Sequence, residues 1–299
     1  MRELLVISGK GGTGKTSLTA AFAHLSEHSV LCDLDVDAPD LHLIASPEIQ
    51  RRGPFMSGKL AEIDPEACQG CGTCAEVCAF GAIREEGGRF AVDVSRCEGC
   101  KVCVALCPRQ AIAFDDRLCG TWFESASRFG PMIHAQLDPG QENSGKLVTL
   151  LKTQARRKAD QLAFELILSD GAPGVGCPVI SSLSQVSLAL LVTEPTPSGL
   201  HDLTRVAELC RQFRLPATVL INKADLSADY QAQIRAFSQS RGLPVIGSLP
   251  HDPGVTEAMV RGEAVTEGEP TPFGEDVRRI WGELRAQLTA TAPSREARP

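Results

Sequence analysis

At 299 residues the chain is long enough for one large domain or two smaller ones. Its hydrophobic fraction of 43% is that of an ordinary globular protein, and its formal net charge of −7 argues against non-specific nucleic-acid binding, which needs clustered positive charge. The opening residues MRELLVISGK read as a strand entering a loop, not as a secretory signal, and no apolar run approaches the roughly 20 residues of a membrane-spanning helix. A cytoplasmic protein without stable membrane insertion is expected, in which 12 cysteines point to metal or redox chemistry rather than to a disulfide framework.

Short apolar, β-branched runs over residues 4–8, 30–33, 164–170, 188–193, 218–222 and 245–248 read as buried strands. Helical patterns separate most of them, over residues 15–26, 144–161, 200–211 and 228–241. Such alternation predicts an α/β fold whose mostly parallel sheet carries helices on both faces. Residues 119–136 read as a short hairpin. Near the C-terminus Val277, Ile280, Trp281, Leu284 and Leu288 keep helical spacing. That stripe is expected to pack on the sheet, because its polar side mixes Glu283 with Arg278, Arg279 and Arg285 and is less basic than a membrane-surface helix favours.

Between the first strand and the first helix lies KGGTGKT, Lys10 to Thr16. A loop in this place can wrap phosphate with its backbone N–H groups, and Gly11, Gly12 and Gly14 permit the approach because they lack a Cβ. Lys15 then supplies charge to the β and γ phosphates and the Thr16 hydroxyl binds Mg²⁺. The second strand ends LCDLDVDAPD and the third ends LILSDGAPGVGCP. Carboxylates at the C-terminal edges of strands can hold Mg²⁺ or position a nucleophilic water.

Residues 58–116 break the α/β rhythm. Cys68, Cys71, Cys74 and Cys78 are followed, 29 residues on, by Cys97, Cys100, Cys103 and Cys107. Each run reads C-x2-C-x2-C-x3-C, the spacing of bacterial two-cluster ferredoxins, in which the fourth cysteine of each run ligates the other cluster. Applied here, one [4Fe–4S] cluster takes Cys68, Cys71, Cys74 and Cys107, and the other takes Cys97, Cys100, Cys103 and Cys78. Zinc is the alternative, since C-x2-C pairs bind it too. The repeat is expected to form a small domain placed in a surface loop, with 1–57 and 117–288 as the two parts of the host domain and 289–299 as a disordered tail.

The additional lysine at the start of the loop makes it similar to the deviant phosphate loop of the MinD/ParA/Mrp ATPases and the nitrogenase iron protein. Together with the double cysteine motif, DGAPGVGCPVISSLSQ, LLVTEPTPSGLHDL and INKAD, the chain resembles MinD-superfamily ATPases that carry an inserted ferredoxin domain, over residues 1–288. The resemblance implies ATP as nucleotide and a dimer, of two copies or with a paralogue, in which Lys10 reaches the nucleotide of the opposing subunit. It also implies that Asp33 and Asp170 stand with Thr16 on the Mg²⁺ side, that Asp35 orients the attacking water, and that Gly171 to Gly176 sense the γ phosphate. The nucleotide set is then Gly11, Gly12, Thr13, Gly14, Lys15, Thr16 and Ser17, with Asn222, Asp225 and Pro250 near the base. Asp37 and Asp40 fall in a switch-like loop or are simply solvated. Ala79 stands where the ferredoxin pattern usually has proline.

Of the remaining cysteines, Cys32 and Cys210 read as small buried hydrophobes. Cys177 lies seven residues after Asp170, the spacing at which the nitrogenase iron protein has a ligand to its subunit-bridging cluster. It is therefore a candidate interface ligand, with Cys119, against a plain packing thiol. Ser144-Gly-Lys146 reads as a helix start capped by Ser144 or Asn143, His134 as structural, and Arg156, Arg157 and Lys158 as a solvated helix face. The chain is thus expected to couple nucleotide-driven dimer switching to electron transfer toward an unidentified redox protein. The alternatives are a cluster-assembly ATPase of the Mrp type that serves an apo-acceptor, and a ParA/MinD-like positioning ATPase.

Overall fold

The computed structural model describes residues 1–141 and 144–290; Asn143 and the tail from Thr291 lie outside them. In chain order the elements are β1 (Arg2–Ser8), α1 (Lys15–His24), β2 (Ser29–Asp33), α2 (Leu41–Ala45) and the long β3 (Glu48–Ile63). Then come α3 (Thr73–Glu76), β4 (Ile83–Glu86), β5 (Arg89–Val92), α4 (Val102–Leu106), β6 (Ile112–Ser127) and β7 (Gly130–Leu137). The rest alternates: α5 (Ser144–Leu162), β8 (Leu166–Pro173), α6 (Cys177–Ser182), β9 (Leu188–Thr193), α7 (Pro197–Gln212), β10 (Ala217–Ile221), α8 (Ala228–Ser240), β11 (Val245–Ser248), α9 (Pro253–Val260) and α10 (Pro272–Ala290).

The chain divides into two compact units. The first comprises Met1–Gly53, Trp122–Gln136 and the chain from Ser144. Among the described residues the large sheet has the order β11-β10-β9-β1-β8-β2-β7-β6-β3, and β3 and β6 belong to this unit only through residues 48–53 and 122–127. The pairings of β1 with β8 and β9, of β2 with β8 and β7, and of β10 with β9 and β11 are all parallel. This is the expected α/β architecture.

Alternation along β1 sorts its two faces. Leu4 and Val6 share a core with Phe22 of α1 and with Val277, Ile280, Trp281, Leu284 and Leu288 of α10. All five residues of the α10 stripe are buried, and Trp281 stacks on Phe22 with ring centroids 5.4 Å apart. Each such side chain contributes about 1.5–3 kcal/mol on burial, which is why a stripe on a late helix can hold the first helix in place. Glu3 lies on the opposite face and meets α5, where Lys152 Nζ is 2.5 Å from Glu3 Oε1 and Arg156 is 2.6 Å from Glu3 Oε2. Lys152 also donates to the Ser182 carbonyl at the end of α6, 2.6 Å away. The expected solvated basic face is therefore corrected: Arg156 serves a buried glutamate and Lys158 pairs with Glu124, leaving only Arg157 exposed.

The second unit comprises Pro54–Thr121 and the segment beginning at Leu137. The chain enters and leaves it along β3 and β6, 16 residues each, so its limits are wider than 58–116. Gly53, Pro54 and Gly58, with the interspersed charges of EIQRRGPFMSGKLAEI, hid β3 from a reading based on apolar alternation. β4 and β5 pair antiparallel, Ile83 opposite Val92. The core of this unit is small: Ala61, Cys74, Ile83 and Ile112, against which Cys78, Cys97, Cys103 and Cys107 pack.

Candidate functional site

In the first unit the site forms where β1 hands over to α1. Gly12 and Gly14 take left-handed backbone angles, φ 77° and 91°. A Cβ at Gly14 would stand 2.5 Å from Asn222 Nδ2, so the glycine is required by contact as well as by conformation. The loop is tied to the end of β10: Asn222 Nδ2 donates to the Thr13 carbonyl at 2.8 Å, and Lys223 Nζ donates to the Gly12 carbonyl at 2.8 Å. With those carbonyls engaged from behind, the N-terminus of α1 faces a cavity of about 400 Å³. Gly11, Gly12, Gly14, Lys15, Thr16 and Ser17 form one wall, and Asp35, Asp40, Asn222 and Pro250 contribute to the others. Amide donors and a helix N-terminus make such a cavity an anion site. A larger cavity of about 710 Å³ lies where β9 and β10 begin, lined by Leu188, Leu215, Phe237 and Leu243. It has neither the glycine loop nor the strand-end aspartates, so the phosphate chemistry belongs to the smaller one.

Strand register assembles the acids. Parallel pairing of β2 with β8 sets Asp33 beside Asp170. Asp170 accepts from the Thr16 hydroxyl at 2.7 Å and from the Thr19 hydroxyl at 3.1 Å. One oxygen of Asp33 accepts the Asp35 N–H at 3.1 Å; among the described residues no donor reaches the other, although Asp33 is 2% exposed. Burial, and then the Asp170 charge, hold the Asp33 carboxyl well above the carboxylate range. Burial also raises Asp170, against the nearby Lys15. Asp35 is raised by burial to about 6 even though Lys15 Nζ lies 3.9 Å from its carboxylate. Asp33 and Asp170, paired in register with one orphaned oxygen, could face a divalent cation, whose charge would relieve the penalty that burial and mutual repulsion impose.

The structure sorts the remaining predicted residues. Lys10 does not line the cavity of its own chain. Its Nζ donates to Glu194 at 2.5 Å and to the Ser198 hydroxyl at 2.9 Å, on the turn between β9 and α7. Glu194 also faces Lys223 at 3.4 Å. Burial pushes the Glu194 carboxyl up, but the two lysines outweigh it and hold it below the ordinary value. Sequence reasoning missed Glu194, Lys223 and Thr19; the polar Glu194 at the end of the apolar strand LALLVT was the available signal. Asp225 does not line the cavity either. It accepts the His251 N–H at 2.5 Å and so positions the Pro250–His251 turn, which does. Asp37 is exposed outside it, and so is Lys146.

In the second unit Cys68, Cys71, Cys74 and Cys107 line one small cavity, a set drawn from both runs. Cys97 and Cys100 lie close enough to Cys103 for their charges to add to the burial that raises its thiol. The Ala82 N–H donates to Cys78 Sγ at 3.3 Å and, 29 residues on, the Ala111 N–H donates to Cys107 Sγ at 3.4 Å. Among the described residues no three metal-ligating side chains converge as the ligands of a single ion do. A four-iron cluster makes a different demand, one thiolate per iron around a larger body. Cys119 is buried, its thiol donating to the Ser57 carbonyl at 3.1 Å, which corrects its candidacy as an interface ligand. Cys177 is exposed at the start of α6, whereas Cys32 and Cys210 are buried, as expected. His134 is structural: it bonds Ser125 at 2.9 Å, stacks on Phe123, and burial lowers its pKa to about 4.

The model of the CobQ/CobB/MinD/ParA nucleotide-binding domain matches residues 4–265. The chain belongs to this family. A relative, uncharacterized protein MJ0578 of Methanocaldococcus jannaschii, is 35% identical over 228 residues, 75% of this chain and 79% of that protein. An iron–sulfur cluster carrier protein of Aquifex aeolicus is 26% identical over 119 residues, 36% of this chain and 33% of that one. Among solved structures, the septum site-determining protein MinD of Pyrococcus horikoshii, complexed with Mg-ADP, superposes with a TM-score of 0.57 at 16% identity, covering 97% of this chain and 98% of that one. For this MinD/ParA-family chain that likeness establishes the fold. Among the described residues no helix is long and apolar enough to cross a membrane.

Proposed function

We propose that the protein is an ATP-binding and ATP-hydrolysing iron–sulfur protein, active as a dimer, that couples nucleotide-driven switching to electron transfer through two [4Fe–4S] clusters toward a partner protein. Family membership and the Mg-ADP complex of the MinD relative support the nucleotide half. The loop amides and Lys15 hold the phosphates. Thr16, Asp33 and Asp170 face Mg²⁺, which neutralises charge on the phosphates when bound. Asp35 orients water, and Asn222 and Pro250 border the base. Lys10, held outside its own cavity, is assigned to the nucleotide of the opposing subunit.

One observation carries the redox half: a single cavity is lined by three cysteines of the first run and the last cysteine of the second. That grouping supports the crossed ligation expected of a two-cluster ferredoxin domain. Cys97, Cys100, Cys103 and Cys78 are assigned to the second cluster. The test is anaerobic reconstitution with iron and sulfide. About eight irons per chain are expected, both in the unaltered protein and in Lys15→Ala, which loses nucleotide binding. Zinc in place of iron, or iron well below that count in the unaltered protein, overturns the reading.

The likeness to the cluster carrier protein favours a second reading, a cluster-assembly ATPase. Exposed Cys177 is the thiol available to a transferable cluster in that case. Lability separates the two: four-cysteine clusters stay bound when an apo-acceptor is added, whereas a carrier loses iron to it. A positioning ATPase leaves the eight cysteines without a role.

A further inference from the structure

The two cysteine runs are copies in backbone as well as in sequence. Left-handed positions recur at the same 29-residue offset: Gly70 with Gly99, Gly72 with Lys101, and Gly81 with Gln110. The N–H bonds to Cys78 and Cys107 recur at that offset too. Matched frames allow the neighbouring side chains to be compared position by position, and these are not copies.

Gln69, Thr73 and Arg109 line the cavity shared by Cys68, Cys71, Cys74 and Cys107. The Thr73 hydroxyl lies 3.5 Å from Cys71 Sγ. At the corresponding places of the other set stand Glu98, Val102 and Phe80. The first set therefore has an amide, a hydroxyl and a guanidinium where the second has a carboxylate and two apolar side chains. Reduction adds one negative charge to a cluster. Hydrogen bonds to sulfur and nearby positive charge stabilise the added charge, and a nearby carboxylate opposes it. All three exchanges thus act in the same direction. Three exchanges act against them: Arg96 takes the place of Ala67, Ala105 that of Glu76, and Lys101 that of Gly72. The Lys101 ammonium is drawn over the Phe114 ring, 5.7 Å from the centroid, and Arg96 and Glu76 are exposed, as Arg109 and Glu98 are, so solvent weakens the charges on both sides and the direct Thr73–Cys71 contact at 3.5 Å weighs most.

We propose that the site of Cys68, Cys71, Cys74 and Cys107 holds the higher-potential cluster, which takes the first electron, with Thr73 and Arg109 raising its potential and Glu98 holding the other cluster's down. The inference rests on the two-cluster reading above. The order of filling gives the domain a direction: a one-electron donor protein that reduces both sites fills this one first.

The test uses the full chain, reconstituted anaerobically. Iron and sulfide are counted first. The protein is then reduced stepwise with dithionite in the presence of mediators and followed by EPR. The expected result is two separate one-electron waves of equal spin. Thr73→Val and Arg109→Gln should each move the upper wave to lower potential and leave the lower one in place. Glu98→Gln should move the lower wave up and narrow the gap. All three side chains lie at exposed or half-exposed positions, and the iron count of each variant reports whether its clusters are intact. A single wave carrying both spins overturns the proposal, as does movement of the wrong wave in these variants. Iron well short of about eight per chain in the unaltered protein overturns the two-cluster reading itself, before any potential is read.

Discussion

The two units hold themselves together by different means. The nucleotide unit is layered, with Leu4, Phe22, Leu168, Trp281 and Leu284 in one continuous apolar core. The main core cluster of the cysteine unit has four buried residues, one of them a cysteine, with four more cysteines and apolar residues such as Ile63, Phe90 and Phe114 packed against it. Apolar burial orders the first. In the second the apolar core is small, and the proposed clusters would add ligand bonds to it, as structural metals do in other small domains. Under the proposed function, one unit folds on its own side chains and the other folds with its iron.

Removing iron tests this contrast most severely. Structural metal sites contribute on the order of 10 kcal/mol, so chelation should cost the cysteine unit its order outright. Limited proteolysis should then cut within Pro54–Thr121 while the nucleotide unit resists and still binds nucleotide. The next effect belongs to the nucleotide unit alone. Glu3→Ala leaves Lys152 charged and buried without its partner and should cost about 3–5 kcal/mol in denaturant unfolding, with the iron count unchanged.

Gly14→Ala forces a side chain to φ 91° and toward Asn222. It should weaken nucleotide binding about 10–100-fold, a cost of about 1–3 kcal/mol, measured by calorimetry, and leave cluster absorbance intact. The smallest change is a gain. Asp35 carries a folded-state pKa of about 6, above its unfolded value, so its ionisation opposes folding at neutral pH. Asp35→Asn should stabilise the nucleotide-free protein by about 1–2 kcal/mol at pH 7 while abolishing hydrolysis. The stability difference should fade as pH drops through 6 and vanish below about 4, where the carboxyl is protonated in both states.

What was legible in the chain follows the range of the interaction that decides it. β9 was read residue for residue, because a buried strand in a parallel sheet is a continuous apolar run. The α10 stripe was read in full, because helical spacing is local. The four cysteines that line the small cavity are those the ferredoxin pattern grouped, because that pattern is carried by short spacings. Arg156 was misread because its partner Glu3 lies 153 residues away. Lys10 was expected to act on nucleotide, and nothing near it in the chain announced its hold on Glu194, 184 residues on. β3 escaped because glycine, proline and charge interrupt its alternation. Asp225 was placed near the base by the resemblance of INKAD to the family's base-recognition element, and its carboxylate accepts the His251 N–H of the turn beside the cavity.

The central claim is that nucleotide and clusters communicate. It is tested most directly by anaerobic EPR of the reconstituted protein, reduced stepwise with and without a non-hydrolysable MgATP analogue. The account requires a shift in potential or line shape when the analogue binds. Identical spectra and potentials, with nucleotide shown to be bound, would contradict it and leave the two units as independent machines on one chain.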